Sequence, residues 1–306
     1  ESVGLNIAAS GASVAEVAVD AGAAIAVSGD NSSGVQIQMA GSATAAEVLV
    51  GGVTLLGSGS KAVSVIASDL EGSFYGDTHL FTNSADPSDW TVGSTSFGSD
   101  ADMLITTRIQ NNILIVADKV TAIDALVSGG VDSKIDHDIG GDIVLIGDGS
   151  TGLDVTVESS VSNSSSLKVG GDLQLSGDGS TGAAFRFGDT GLVGTAIDLA
   201  GDIVVLGEGA RGITWRADNV GSASLDIYLG NDLYALGQGA LGVEAVMIGA
   251  QGSVLVNFDI TGNALAEGDG ARIIRLEASD ADTNGFIEIS EEEVWFAKDG
   301  ASLIET

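Results

Sequence analysis

Residues 280–291 read DADTNGFIEISE, in which carboxylate and amide side chains recur at alternate positions before a final glutamate. Calcium takes about seven hard oxygen ligands from a loop that folds around it, with a glycine at the sharp turn. Gly285 stands at that turn position, and Glu291 stands where one carboxylate can offer both oxygens. We therefore predict that this segment binds Ca²⁺. The predicted ligands are Asp280, Asp282, Asn284, the main-chain carbonyl of Phe286, Glu288 and Glu291.

The segment resembles an EF-hand loop, and its flanks differ from that pattern on one side. Ser290 is followed three residues later by Glu293, a capping box that predicts a short exit helix over Val294–Ala297. The preceding residues, Arg272–Ala278, have the alternation of a strand instead of an entry helix. An acidic turn without an ion is therefore the alternative interpretation of 280–291.

A second candidate site is the aromatic-rich stretch 73–97. Five of the chain's aromatic residues, which are eight Phe, three Tyr and three Trp in all, lie in this stretch together with the single Pro. Long loops on a rigid scaffold often carry function, so we predict a ligand or subunit contact here. The alternative is a lid whose aromatic side chains cover an open coil edge. The candidate contact residues are Tyr75, Asp77, His79, Asp86, Asp89 and Trp90.

The third candidate is a row of aspartates, Asp142, Asp172, Asp202 and Asp232, each 30 residues after the last. If they stack about 4.8 Å apart, each adjacent pair repels by roughly 0.9 kcal/mol in water. A row of bound cations could offset this repulsion. Capping of backbone N–H groups in tight glycine turns could also offset it, and this is the preferred interpretation.

These aspartates belong to an internal repeat that predicts the fold. Residues 140–151 read GGDIVLIGDGST, and residues 170–181 read GGDLQLSGDGST. Each unit of about 30 residues contains three short segments with period-two alternation, separated by Gly, Ser, Asp and Asn. We therefore predict an all-β fold, a parallel β-helix (β-solenoid) with three strands per coil. The predicted inner rows are Val155, Phe185, Trp215, Ala245 and Val157, Phe187, Ala217, Met247.

The same periodicity divides the chain into four parts. Residues 1–72 are predicted to form N-terminal coils, and 73–105 an irregular loop insertion. Residues 106–279 are predicted to form the regular coils, and 280–306 the calcium loop with a short C-terminal capping helix.

The composition excludes several functional classes. Asp plus Glu number 43 against 11 Lys plus Arg, and the formal net charge of −32 disfavours nucleic acid as a partner. The absence of Cys excludes disulfides and thiolate metal sites. No apolar run approaches the roughly 18 residues of a membrane span. The sequence opens at Glu1 without a signal-peptide pattern, which fits an exported protein whose leader is already removed.

The coil pattern and the composition together resemble bacterial surface repeat proteins. These include the passenger regions of autotransporters, filamentous-haemagglutinin-like adhesins, and surface-layer or filament subunits. The resemblance implies a secreted or cell-surface protein with a structural or adhesive role, whose partners include surface polysaccharide or other surface proteins. Because Ser2–Ala8 is strand-like, we also expect self-association through solenoid ends or strand donation.

A calcium-dependent polysaccharide lyase or hydrolase is the competing hypothesis, since such enzymes also use β-helices. Arg186 and Arg216 are predicted to be outward neighbours, close to Glu158 and Asp218, and could supply a base. Against this, the chain has no GxSxG, HExxH or phosphate-loop motif. We therefore expect a protein that is not an enzyme.

Overall fold

The computed structural model describes residues 3–12, 15–41, 44–68, 77–80, 103–129, 132–279, 282–289, 295–298 and 300–305. Over these residues the chain winds as a β-solenoid with about seven regular turns. Its three walls are each made of parallel strands. The predicted fold class is confirmed, including the coil length of about 30 residues.

The first wall is a ten-stranded parallel sheet. Its last seven strands follow one another every 30 or 31 residues. The strands are β1 (Val3–Ala12), β3 (Ser33–Gly41), β5 (Lys61–Ser68), β9 (Thr121–Ser128), β12 (Thr151–Glu158), β15 (Thr181–Gly188), β18 (Arg211–Asp218), β21 (Leu241–Ile248), β24 (Arg272–Ser279) and β27 (Ser302–Glu305).

The second wall consists mainly of strands of seven or eight residues, and the third of strands of three or four. The second contains β6 (Asp77–Leu80), β7 (Met103–Ile109), β10 (Asp132–Ile139), β13 (Ser162–Val169), β16 (Leu192–Leu199), β19 (Ser222–Leu229), β22 (Ser253–Ile260) and β25 (Asp282–Ile289). The third contains β8 (Ile113–Ile115), β11 (Ile143–Leu145), β14 (Leu173–Leu175), β17 (Ile203–Val205), β20 (Leu233–Ala235), β23 (Ala264–Glu267) and β26 (Trp295–Lys298). Two long strands, β2 (Ala15–Val27) and β4 (Thr44–Leu55), run from the second wall into the third.

The core lies inside the tube formed by the three walls, because each regular strand turns one row of side chains inward. Both predicted inner rows of the first wall are buried, which confirms their assignment to the core. Phe187 packs against Trp215 with ring centroids 6.0 Å apart. The indole N–H of Trp215 donates to Thr195 Oγ1 at 2.9 Å, so its one polar group is satisfied inside the tube.

Two glycine positions shape the corner between the third wall and the first. Gly149 and its equivalents have φ near +60°, a conformation that glycine adopts without strain. At Gly147 the coils approach so closely that an added Cβ would lie 2.0 Å from the Ala117 carbonyl oxygen. Stacking therefore favours the repeated GxG pattern, although one coil has Ala117 and Lys119 (φ 55°) at the same two positions.

One predicted element is wrong. The helix expected over Val294–Ala297 is absent where the structure describes this segment, because Trp295–Lys298 forms strand β26. Its main chain pairs in parallel with Ala264–Glu267, so the N–H and C=O groups that face this neighbour are satisfied within the ladder. Aromatic residues also favour strands, so tertiary pairing prevails here over the local capping signal.

Candidate functional site

A row of side chains caps the corner between the second and third walls. The row consists of Asp142, Asp172, Asp202 and Asp232. The carboxylate Oδ1 of each of the first three aspartates accepts a hydrogen bond from the backbone N–H of the next aspartate, one coil further along. The distances are 2.9 Å from Asp172 N to Asp142 Oδ1 and 2.9 Å from Asp202 N to Asp172 Oδ1. The next distance along the row is 3.1 Å, from Asp232 N to Asp202 Oδ1. The capping interpretation is confirmed, with the difference that the N–H belongs to the neighbouring coil instead of a local turn.

Asparagine stands at both ends of this row, and at the first end its side chain performs the same capping. Asn112 Oδ1 accepts from Asp142 N at 2.9 Å, and Asn263 N donates to Asp232 Oδ1 at 2.7 Å. The Tyr234 hydroxyl donates to the other oxygen of Asp232 at 2.6 Å. This bond raises the pKa of Tyr234 to about 12 and lowers the pKa of Asp232. At the first position of the row, an uncharged acceptor is thus sufficient for the capping.

A second acidic row follows the corner between the third wall and the first. Asp118 Oδ1 accepts from Asp148 N at 2.9 Å, Asp148 Oδ1 from Asp178 N at 2.8 Å, and Asp178 Oδ1 from Glu208 N at 2.8 Å. The residues of this row are exposed. The third wall is therefore bordered along both edges by carboxylates.

Between the two acidic rows, the outer surface of the third wall is mainly apolar, with Gln174 and Ser176 as polar members of one coil. One row of this surface is Leu56, Val116, Ile146, Ser176, Leu206 and Leu236. In its four most exposed apolar members, between 43% and 54% of the residue's surface is accessible to solvent. The adjacent row consists of the central residues of the short strands, which pair in register: Leu114, Val144, Gln174, Val204, Tyr234 and Leu265. We call these two rows the apolar strip.

A polar cluster lies inside the tube in the coil that contains β10. His137 is fully buried, and neither of its ring nitrogens has a hydrogen-bond partner among the described residues; the same is true of the Thr107 hydroxyl in the preceding coil. Burial lowers the pKa of His137 to about 4, although the charge of Asp136 opposes this shift. His137 is therefore neutral near pH 7.

The predicted calcium segment is described in part. Asp282–Ile289 forms strand β25, paired in parallel with Ser253–Ile260, whereas Asp280 and Glu291 lie outside the described residues. Residues 282 and 288 of a strand are about 20 Å apart, so coordination of one ion by this whole set requires the segment to leave the ladder. The calcium site and its ligand set stay a prediction.

The aromatic-rich stretch is also described in part. Asp77 and His79 lie in strand β6, which pairs with Leu104–Thr107 of β7. Tyr75, Asp86, Asp89 and Trp90 lie outside the described residues. The ligand or subunit contact therefore stays a prediction.

The two arginines considered for an enzyme are outward neighbours on the first wall, as predicted. Arg186 is ion-paired with Asp154, and Arg216 Nε donates to Asp218 Oδ2 at 2.6 Å. This hydrogen bond, which the Asp218 carboxylate accepts, raises the pKa of Arg216. Asp154, and not the expected Glu158, is thus the partner of Arg186.

Sequence reasoning missed the apolar strip. The signal was present in runs such as Ile143–Ile146, where outward as well as inward positions are apolar. Alternation alone assigned these runs to strands and gave no reason to examine the outward side chains.

Comparison with known proteins found no matching protein family, no matching curated protein and no matching solved structure. Among the residues that the structure describes, no helix is long and apolar enough to cross a membrane. Over the same residues, no cluster of three or more His, Asp or Glu side chains is arranged to hold a metal ion.

Proposed function

We propose that the chain is a structural or adhesive β-solenoid of an extracellular bacterial assembly, such as a filament, a surface layer or an adhesin. The observation that carries this proposal is the continuous stacking of equivalent residues, with acceptors capping both corners of the third wall. Each coil contacts mainly its neighbours, so additional coils extend the rod without changing its cross-section. This geometry supports a role as a spacer or a filament subunit.

The environment of Arg186 and Arg216 supports this role over polysaccharide cleavage. A guanidinium that acts as a base needs a lowered pKa, but Asp218 raises the pKa of Arg216. Arg186 is held by Asp154 on the same wall. These contacts are those of a charge-balanced outer surface.

The proposal also includes stabilisation by calcium and self-association. The net charge of −32 favours a cation-rich surrounding, and the 280–291 segment supplies the proposed ligands. Stacking of solenoid ends, or donation of a strand between chains, would continue the parallel ladder from one molecule into the next. Surface polysaccharide or another surface protein is the proposed adhesive partner.

Negative-stain microscopy of the purified protein, with calcium and with chelator, tests the structural role. We expect rods of uniform width that join end to end in calcium. The enzyme alternative is tested by a screen for cleavage of acidic polysaccharides, with Arg186→Ala and Arg216→Ala as variants. Cleavage that both substitutions abolish would replace the structural proposal with the enzymatic one.

A further inference from the structure

The apolar strip is a surface that the solenoid does not need for its own folding. The core lies on the inner side of the third wall, where Ile143, Leu145 and their equivalents are buried. The coil between those of Val144 and Val204 carries Gln174 and Ser176 at the two outward positions of the third wall. Its short strand still pairs in register with both neighbouring coils. Polar residues therefore satisfy the fold at these positions, and the apolar ones call for another explanation.

The dimensions of the strip follow from the coil geometry. Its rows advance by about 4.8 Å per coil, so the five steps from Leu114 to Leu265 span about 24 Å. The two rows are about 7 Å apart along each strand, which gives a face of roughly 350 Å² with the side chains included. Apolar patches of this size on a soluble chain are often functional.

The borders of the strip are equally regular. On one side lie Asp142, Asp172, Asp202 and Asp232, and on the other Asp118, Asp148, Asp178 and Glu208. Across the wall the full pattern acidic, apolar, apolar, acidic occurs in the coils of Asp142–Asp148 and Asp202–Glu208, and the coil between them has Gln174 and Ser176 at the two middle positions. An occupant must bury apolar surface and meet negative charge on both flanks.

A second copy of this chain fits the strip poorly. The pattern is symmetric across the wall, so two copies placed face to face bring acidic row against acidic row in either orientation. Like charges opposite one another oppose association.

We propose that the apolar strip binds a cationic amphipathic helix of a partner protein, with an apolar stripe bordered on both sides by Lys or Arg. A helix is about 10–12 Å in diameter with its side chains, which matches the two apolar rows and brings its flanks over the carboxylates. About 16 residues, at 1.5 Å each, match the 24 Å length. The apolar stripe supplies the buried area, and the basic flanks select the partner.

A synthetic helical peptide of about 16 residues, with a Leu stripe and Lys flanks, is the probe, and fluorescence anisotropy at low salt measures its binding. The test variant combines Val144→Gln, Ile146→Ser, Val204→Gln and Leu206→Ser, which copies the residues of the coil between them. The matched control is Leu192→Ser with Leu255→Ser. These two exposed side chains of the second wall stack beside Ser222 and Ser224.

We expect the Lys-flanked peptide to bind the wild type and the control variant, and its affinity to fall at least about tenfold in the test variant. A peptide with Glu in place of Lys should not bind, and added salt should weaken the complex. Equal binding of the Lys peptide by the test variant and the wild type would overturn the proposal, since charge alone would then suffice. A wild-type dimer in analytical ultracentrifugation that the test variant abolishes, and that the peptide does not dissociate, would also overturn it, because a second copy would then be the occupant.

Discussion

Replacing Asp202 separates the two effects that act in the acidic row between the second and third walls. The carboxylate accepts a hydrogen bond from Asp232 N at 3.1 Å, and it lies between two like charges in the adjacent coils. Asp202→Asn keeps the acceptor and removes the charge, and Asn112 is already such an uncharged acceptor at the first end of the row. Asp202→Ala removes both.

The magnitudes follow from the stacking distance. Two neighbouring charges at about 4.8 Å repel Asp202 by roughly 1.7 kcal/mol in total in water at low salt. The hydrogen bond contributes about 1 kcal/mol. We therefore expect Asp202→Asn to stabilise the fold by 1–2 kcal/mol (order of magnitude) at low salt. Asp202→Ala should change stability by less than about 1 kcal/mol, because its loss and its gain oppose each other.

Urea unfolding followed by circular dichroism measures both variants at low salt and at about 1 M salt, where the screening length falls to about 3 Å. In high salt the gain of Asp202→Asn should largely disappear, and Asp202→Ala should become destabilising. The difference between the two variants should stay near 1 kcal/mol in both conditions, since it reports the hydrogen bond. Equal stability of the two variants would refute the capping role of the row.

Two further predictions concern protons and calcium. His137 has a pKa of about 4 in the fold against an ordinary 6.5, so the unfolded chain binds more protons between these values and stability is lost as the pH falls from 6.5 towards 4. His137→Leu, which copies Leu167 in the same inner row, should remove about 3 kcal/mol of this loss. The measurement is the difference in urea midpoint between the wild type and the variant at pH 7 and at pH 4.5. A difference that is the same at both pH values would contradict the lowered pKa of His137. Calcium should raise the melting temperature of the wild type relative to chelator, and Asp280→Ala and Glu291→Gln should abolish the rise; an equal response of all three proteins would place the ion elsewhere.

The sequence predicted the coils because Asp142 and its equivalents recur without insertion over four units. A fixed period of this kind leaves one register in which glycines, strands and turns all coincide, so the inner rows around Trp215 followed directly. The capping role of the aspartates could be weighed but not settled. It depends on an N–H group 30 residues away in the chain, which only the stacked coils bring within 2.9 Å.

The parts that sequence reasoning did not predict have a shared cause. Ser290 and Glu293 are a local helix signal, and local signals do not include the pairing that makes Trp295–Lys298 a strand. The apolar strip escaped notice because Val144 and Ile146 lie in a continuous apolar run. Period-two alternation cannot tell which side of such a run faces the core.

Deletion of one complete coil tests the solenoid architecture most directly. Removal of residues 172–201 joins Gly171 to Asp202, which keeps the order of the strands within the coil. The two coils at the junction then stack on each other, although they were two coils apart in the original chain. We predict a soluble β-protein that unfolds cooperatively, and whose rod, measured by small-angle X-ray scattering, is shorter by about 4.8 Å. Removal of only residues 172–186, half a coil, should give an unfolded or aggregated chain. Equal damage from the two deletions would contradict the account, because the 30-residue coil would then not be the unit of the fold.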